Sequence, residues 1–185
     1  RDKNVWEGSN SMGKIIWGDA RKSLDLLPSN IHFDLILLDA FSPNRCPELW
    51  SEEFLYNLAN KLSTEGRLLT YCTAAAIRGS LRRAGLNVES LIPPSSEREN
   101  LWSIGTVAIR TDSSLNIKPR TKGSKKLSQM EEEHLSTRAS IPYRDPDGTM
   151  NTNEIIKNRK VEQAKSLMET TSSWQRRWDK NLTSS

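Results

Sequence analysis

Two carboxylates close short apolar runs in this chain, each where an α/β sheet would place chemistry. Asp39 ends the run Leu35-Ile36-Leu37-Leu38, which is too short for a membrane span and too unbroken for a half-exposed strand. Such a run suits a strand buried on both faces of a parallel sheet. Ligands in open α/β sheets sit beyond the carboxyl ends of the strands, so a catalytic or binding carboxylate is expected at Asp39. The plain alternative is an Asx-type turn ahead of Pro43. Asp19 follows Lys14-Ile15-Ile16-Trp17-Gly18. It either contacts a nucleotide at a strand end or caps the helix that begins at Ala20.

The elements that position these residues follow from pattern and punctuation. Residues 1–13, with three Ser or Asn and two Gly from Gly8 to Gly13, read as a loop or hairpin. Lys14–Trp17 is a strand candidate, and Ala20–Leu27 a helix ended by Pro28. After the Asp39 strand comes a loop with Pro43 and Pro47. Ser51 then stands as an N-cap, with Glu52 and Glu53 on the positive end of the helix dipole. Phe54, Leu55, Leu58, Ala59 and Leu62 repeat at helical spacing, and Gly66 is read as the stop. Arg67–Cys72 is a second buried strand, and Thr73–Ala84 a helix closed by Gly85. Leu86–Ile92 and Leu101–Ile109 are strands expected to pair antiparallel. Strand and helix alternate from Lys14 to Leu91, which predicts βαβ crossovers in a doubly wound sheet.

Composition sets the limits. The chain has 185 residues, enough for one domain and a tail, with 35% hydrophobic residues and a net charge of +4. Its mean hydropathy of -0.65 is low for a fully packed chain. The mild basic balance permits a nucleic-acid partner without requiring one. No apolar segment approaches transmembrane length. Cys46 and Cys72 have no metal-type spacing, and no signal peptide is present, so a reducing cytosolic setting is expected. His134 beside Glu131–Glu133 is no metal motif and reads as a solvated helix turn. Residues 1–110 read as the domain, 111–128 as a flexible Ser/Lys/Thr-rich linker, and 129–185 as a partly helical extension with Asn153 capping its last helix. Trp174 and Trp178 lie four apart. They either dock on the domain, the favoured reading, or stack with Arg176, Arg177 and Lys180 on unpaired RNA.

At this point the residues resemble a known family. Asp39-Ala40-Phe41-Ser42-Pro43-Asn44-Arg45-Cys46-Pro47-Glu48-Leu49-Trp50 is similar to the Asp-Gly-Phe-Ala-Pro…Asn-Pro-(acid)-x-Trp loop of MnmC-type methyltransferases. These enzymes use S-adenosylmethionine to complete 5-methylaminomethyl-2-thiouridine at the tRNA wobble position. Glu65–Ala75 resembles the family's Gly-Gly-Thr…Thr-Phe-Thr-(Ala/Ser)-Ala strand. Arg78-Gly79-Ser80-Leu81, Ala84-Gly85-Leu86, Arg98-Glu99 and Trp17-Gly18-Asp19 match further family positions, so the resemblance covers about residues 14–109. Ala40 replaces a usual glycine. The family's glycine-rich first loop and ribose-binding acid would lie before Arg1, so the chain is expected to be the later part of a stand-alone enzyme, with the N-terminal strands missing.

The resemblance implies a Rossmann-like methyltransferase fold of the α/β class, with a mostly parallel sheet and a C-terminal antiparallel strand pair. It implies S-adenosyl-L-methionine as cofactor, tRNA as partner, and neither metal nor membrane. The implied chemistry is methyl transfer from a sulfonium to a primary amine. Asp39 would orient the amine and take up its proton. Phe41 would face the methyl donor or the cation-like amine, unless it only packs in the loop. Asp19 would reach the adenine amino group, Asp39 would also border the cofactor, and Thr73 would stand at another strand end. Arg45, Arg78, Arg82, Arg83 and Arg98 together form an expected footprint for tRNA phosphates, although any single one of them is more readily read as a solvated surface charge. Two other readings stand beside this one. An aminopropyltransferase of the spermidine-synthase type shares the sheet but carries a second loop acid, where this chain has Ala40, Phe41 and Ser42. A non-catalytic RNA-binding remnant would explain the absent glycine loop.

Overall fold

A computed structural model describes residues 4–93, 103–111 and 123–183. The chain opens with a hairpin, β1 (Val5–Glu7) against β2 (Met12–Lys14), followed by α1 (Ala20–Asp25) and β3 (Phe33–Leu37). A 3₁₀ turn over Pro47–Trp50 leads to α2 (Glu52–Asn60), β4 (Leu62–Thr70), α3 (Ala75–Arg83), β5 (Asn87–Leu91) and β6 (Gly105–Ile109). The later part of the chain adds β7 (Ser124–Lys126), α4 (Gln129–His134), α5 (Thr152–Lys165) and α6 (Thr171–Thr183). No described helix is long and apolar enough to cross a membrane.

Five strands form one sheet in the order β3-β4-β6-β5-β7. β3 and β4 are parallel, while β4–β6, β6–β5 and β5–β7 are antiparallel. β3, β4 and β5 therefore run the same way, with β6 inserted in reverse between β4 and β5. The α/β class and the antiparallel β5–β6 pair are as expected. The sheet is mixed rather than mostly parallel, because the reversed β6 converts what would be a parallel β4–β5 neighbourhood into two antiparallel pairs.

All of β6 is buried, as a central strand requires. Glycine is needed at its start. A Cβ on Gly105 would lie 2.4 Å from the carbonyl oxygen of Thr70 and 3.2 Å from the Tyr71 Cα. Backbone cannot yield as a side-chain tip can, so Gly105→Ala is expected to cost about 1–3 kcal/mol. An unchanged midpoint in urea unfolding would show that the strands separate without penalty.

Three sequence expectations are corrected here. β3 is not buried on both faces: Leu35 is 53% and Leu37 69% exposed. Among the described residues β3 pairs only with β4, and an edge strand lacks the neighbour that would cover it. Helix α2 ends at Asn60 with Lys61 as C-cap, not at Gly66. Gly66 instead lies within β4, where the β3–β4 register shifts between Phe33 and Leu35 and Glu65 takes a positive φ of 66°. A Cβ on Gly66 would meet the Phe33 carbonyl at 2.8 Å, so glycine permits this irregularity. Lys14–Trp17 is not a sheet strand; only Lys14 is extended, in the β1–β2 hairpin, and Ile15, Ile16 and Trp17 are exposed.

The caps behave as their side chains dictate. Ser51 accepts from Phe54 N, and Asp19 accepts from Arg21 N. The long extension helix is capped by Asn151, not Asn153, in a capping box with Glu154. Within the expected linker, Ser124–Lys126 joins the sheet edge, while 112–122 fall outside the described residues. Leu127, Tyr143 and Ile155 of the extension share one apolar core with Trp50, Leu55, Leu68 and Ile77. Trp174 docks rather than projecting: it is 1% exposed and stacks on His134 at 4.4 Å. His134 is thus half-buried rather than solvated, and burial with the nearby Arg78 charge holds its imidazole below the usual range.

Candidate active site at the carboxyl ends of the parallel strands

β3 and β4 deliver their carboxyl ends side by side. Leu38 N donates to Leu69 O at 2.9 Å, and the chain then leaves the sheet at Asp39. Asp39 is exposed, and its carboxylate accepts no hydrogen bond among the described residues. Beyond β4 come Tyr71, exposed, and Thr73, half-buried. The Tyr71 hydroxyl donates to Ala40 O at 2.9 Å, which ties the two strand ends together. Burial first, then the charges of Cys72, Asp39 and Cys46, hold the Tyr71 phenol above its ordinary range.

The loop after Asp39 is braced from within the fold. Trp50 is fully buried, and its Nε1 donates to Phe41 O at 2.6 Å. Arg45 N and Cys46 N both donate to Ser42 O, at 2.8 and 3.0 Å. From the extension, the Tyr143 hydroxyl donates to Asn44 Oδ1 at 3.2 Å. Tyr143 is itself buried under the Arg159 guanidinium, 4.4 Å from its ring centroid. Removing that hydroxyl in Tyr143→Phe is expected to cost about 1 kcal/mol. It should also speed hydrogen exchange at the Arg45 and Cys46 amides. Unchanged exchange there would show that the extension does not brace the loop.

Asp19 is held by its own helix. It caps α1 and pairs with Arg21, Nη2 to Oδ2 at 2.7 Å, and these bonds hold its carboxyl below the usual range against the opposing effect of burial. Arg21 continues to Asp145 at 2.5 Å and to Met150 O at 3.0 Å. No hydrogen bond joins Asp19 to Asp39 or Thr73 among the described residues. The turn that Arg21 grips, with α1 and α2, borders a polar cleft of about 200 Å³ lined by Asp25, Glu53, Asn57 and Asp147. The structure thus places Asp39 and Phe41 just beyond β3, with Thr73 just beyond the neighbouring β4, and ties Asp19 through Arg21 to the turn at Asp145. Sequence reasoning assigned no part to Tyr71, Tyr143 or Arg21. The first stood inside a motif already quoted, while the other two act through partners more than 90 residues away, which no local pattern reveals.

Of the expected arginine footprint, Arg78 is overturned. Arg78 is 3% exposed and locked among Glu131, Thr106, Ser90, Ser103 and Gly105 O. Arg82 makes two bonds to Glu132, at 2.6 and 2.5 Å. Arg83 pairs with Glu52. Arg78 is buried on its carboxylate and is closed to a phosphate, while Arg82 and Arg83 are already engaged in exposed ion pairs. Arg45 alone of the described four has no ion pair among the described residues; its guanidinium lies 5.3 Å from the Phe41 ring centroid. Arg98 falls outside the described residues.

Known proteins carry the same plan. A sequence model described as S-adenosyl-L-methionine-dependent methyltransferase matches residues 5–103. The tRNA 5-methylaminomethyl-2-thiouridine biosynthesis bifunctional protein MnmC of Azoarcus sp. is 40% identical over 75 residues, covering 40% of this chain and 12% of that protein. An uncharacterized protein of Methanocaldococcus jannaschii is 26% identical over 149 residues, covering 80% of this chain and 38% of that one. The crystal structure of MNMC2 from Aquifex aeolicus superposes with a TM-score of 0.70 at 26% identity, over 87% of this chain and 48% of that chain. The chain therefore spans less than half the length of each of these relatives. The family match takes in more than half of its residues, and the sheet with its strand-end acid agrees with it: the chain belongs to the S-adenosyl-L-methionine-dependent methyltransferases.

Proposed function

We propose that this protein takes part in methyl transfer to the primary amine of an aminomethyl-modified wobble uridine in tRNA. The observation that carries the reading is the Asp39 carboxylate, exposed and without a hydrogen-bond partner among the described residues, on a braced loop at a strand's carboxyl end. Its likeness to MnmC and MNMC2 supports the substrate class. An anion left bare in water at such a position suits a transient partner rather than a structural one.

The residues at this edge fit the cofactor's needs for acceptors at strand ends. Asp39 and Thr73 would border it, and Asp19, with 31% of its side chain exposed beside Arg21, would accept from the adenine amino group. When bound, S-adenosyl-L-methionine supplies a methyl group on an electrophilic sulfonium. The chain's own part is to hold the amine and manage its proton. Asp39 accepts a hydrogen bond from the amine, aims its lone pair and takes up the proton lost on alkylation, directly or through water. Phe41 faces the cationic amine or the methyl donor. No protein nucleophile is required. The bare edge of β3, with Leu35 and Leu37 exposed, supports the further reading that additional strands pair there and bring the glycine-rich cofactor loop. Free Cys46 and Cys72 agree with a reducing, cytosolic setting.

The test uses the protein extended upstream of Arg1, labelled S-adenosylmethionine, and tRNA bearing an aminomethyl wobble uridine. Label in the tRNA is the expected result. No label in tRNA, with a polyamine instead lengthened when decarboxylated S-adenosylmethionine is the donor, would overturn it in favour of an aminopropyltransferase.

A further inference from the structure

The Asp39 loop divides its backbone from its side chains. Its carbonyls and amides are tied down by Tyr71, Trp50 and internal turn bonds, as described above. Its large rings face water: Phe41 is 72% and Tyr71 47% exposed. Trp50 packs edge-on to Tyr71 with centroids 6.1 Å apart, and Arg45 lies over Phe41. An exposed ring gains little in the free protein, and Tyr71, fixed by its hydroxyl bond to Ala40 O and by Trp50, has lost part of its freedom before any ligand arrives. Arg45, without an ion pair among the described residues, sets a positive charge beside them, whereas Arg78, Arg82 and Arg83 are taken up by carboxylates.

We propose that Phe41 and Tyr71 form a stacking platform for unpaired nucleobases, with Arg45 meeting the adjoining phosphate. Every base has a π-face, and stacking on an aromatic side chain requires no particular sequence. A guanidinium beside the ring matches the anionic backbone that must accompany each stacked base. A base pulled from an RNA loop would in this way be presented next to Asp39. The inference deepens the methyltransferase reading and rests on it for the choice of RNA as occupant.

The test measures fluorescence anisotropy of a short labelled oligouridylate, with a fully paired RNA duplex as comparison. Phe41→Ala and Tyr71→Leu should each weaken oligouridylate binding roughly tenfold and leave duplex binding unchanged. Tyr71→Phe keeps the ring, loses only the bond to Ala40 O, and should bind like the natural chain. Arg45→Gln should lower the slope of log affinity on log salt by about 0.7. Unchanged oligouridylate affinity in both Phe41→Ala and Tyr71→Leu would overturn the platform, as would an equal loss on duplex. Methyl transfer that fails while these variants still lose oligouridylate affinity would leave the platform standing and remove the reaction. Methyl transfer that succeeds while the variants bind normally would do the opposite.

Discussion

Asp39→Asn is expected to lower methyl transfer to tRNA roughly 100- to 10,000-fold, the range that a positioned proton acceptor contributes. The substitution keeps the size of the side chain and one carbonyl oxygen, so an amine can still be held. It removes the negative charge and the ability to accept a proton. The loss should therefore fall on kcat more than on KM. Thermal unfolding should be unchanged, because Asp39 is exposed and its carboxylate accepts no hydrogen bond among the described residues. The measurement is methyl label incorporated into tRNA, variant against natural protein. Activity retained within a few-fold would mean that the proton leaves directly to water and that Asp39 only borders the site.

Arg78→Met should destabilise the fold by about 3–5 kcal/mol, the usual cost of leaving one member of a buried ion pair alone. Arg78 and Glu131 are 3% and 8% exposed and meet at 2.8 Å. Glu131 also accepts from Ser90 at 2.7 Å, Ser103 at 3.0 Å and Ser128 N at 2.8 Å. Burial alone would raise its carboxyl, but the bonds from Ser128, Ser90 and Arg78 outweigh it and bring it down from 4.5 to about 2. A carboxyl so depressed binds its proton more readily when unfolded. Its contribution, on the order of 3 kcal/mol, is complete above about pH 4.5 and lost as pH falls toward 2. Urea unfolding from pH 7 down to pH 3 should show that decline, and Glu131→Gln should flatten it. The double variant Arg78→Met/Glu131→Leu should recover much of the single loss, since no charge is left buried. A double variant as unstable as Arg78→Met would mean that packing, not charge, sets the cost.

This pair also explains why the extension could not be read as part of the domain. Arg78 and Glu131 are 53 residues apart, and Tyr143 and Asn44 99 apart. In sequence, Arg78 is a basic residue on an amphipathic helix, and a basic residue on a helix is ordinarily solvated. Only the approach of α4 to α3 makes it a buried ligand of Glu131. The packing of α6 on α4 likewise turns His134 from a solvated turn residue into a half-buried ring stacked on Trp174. Arg82 and Arg83 are engaged in ion pairs for a related reason, since their carboxylate partners come from α4 and α2.

Local chemistry was legible where it acts over a few residues. Ser51 and Asp19 cap helices because their oxygens reach the amides next along the chain. Gly85 closes α3 at a φ of 84° that other residues avoid. Asp39 was found because a four-residue apolar run must end, and the end of a strand faces solvent. The sequence by itself determined the α/β alternation, the strand-end acid and the motif loop, all of which depend on spacing within one element. The tertiary structure alone decided that β3 is an exposed edge, that β6 enters the sheet reversed, and that Tyr71, Trp50 and Tyr143 brace the Asp39 loop. Those outcomes depend on which distant segments meet, and hydrogen bonds between them leave no periodic trace in the chain.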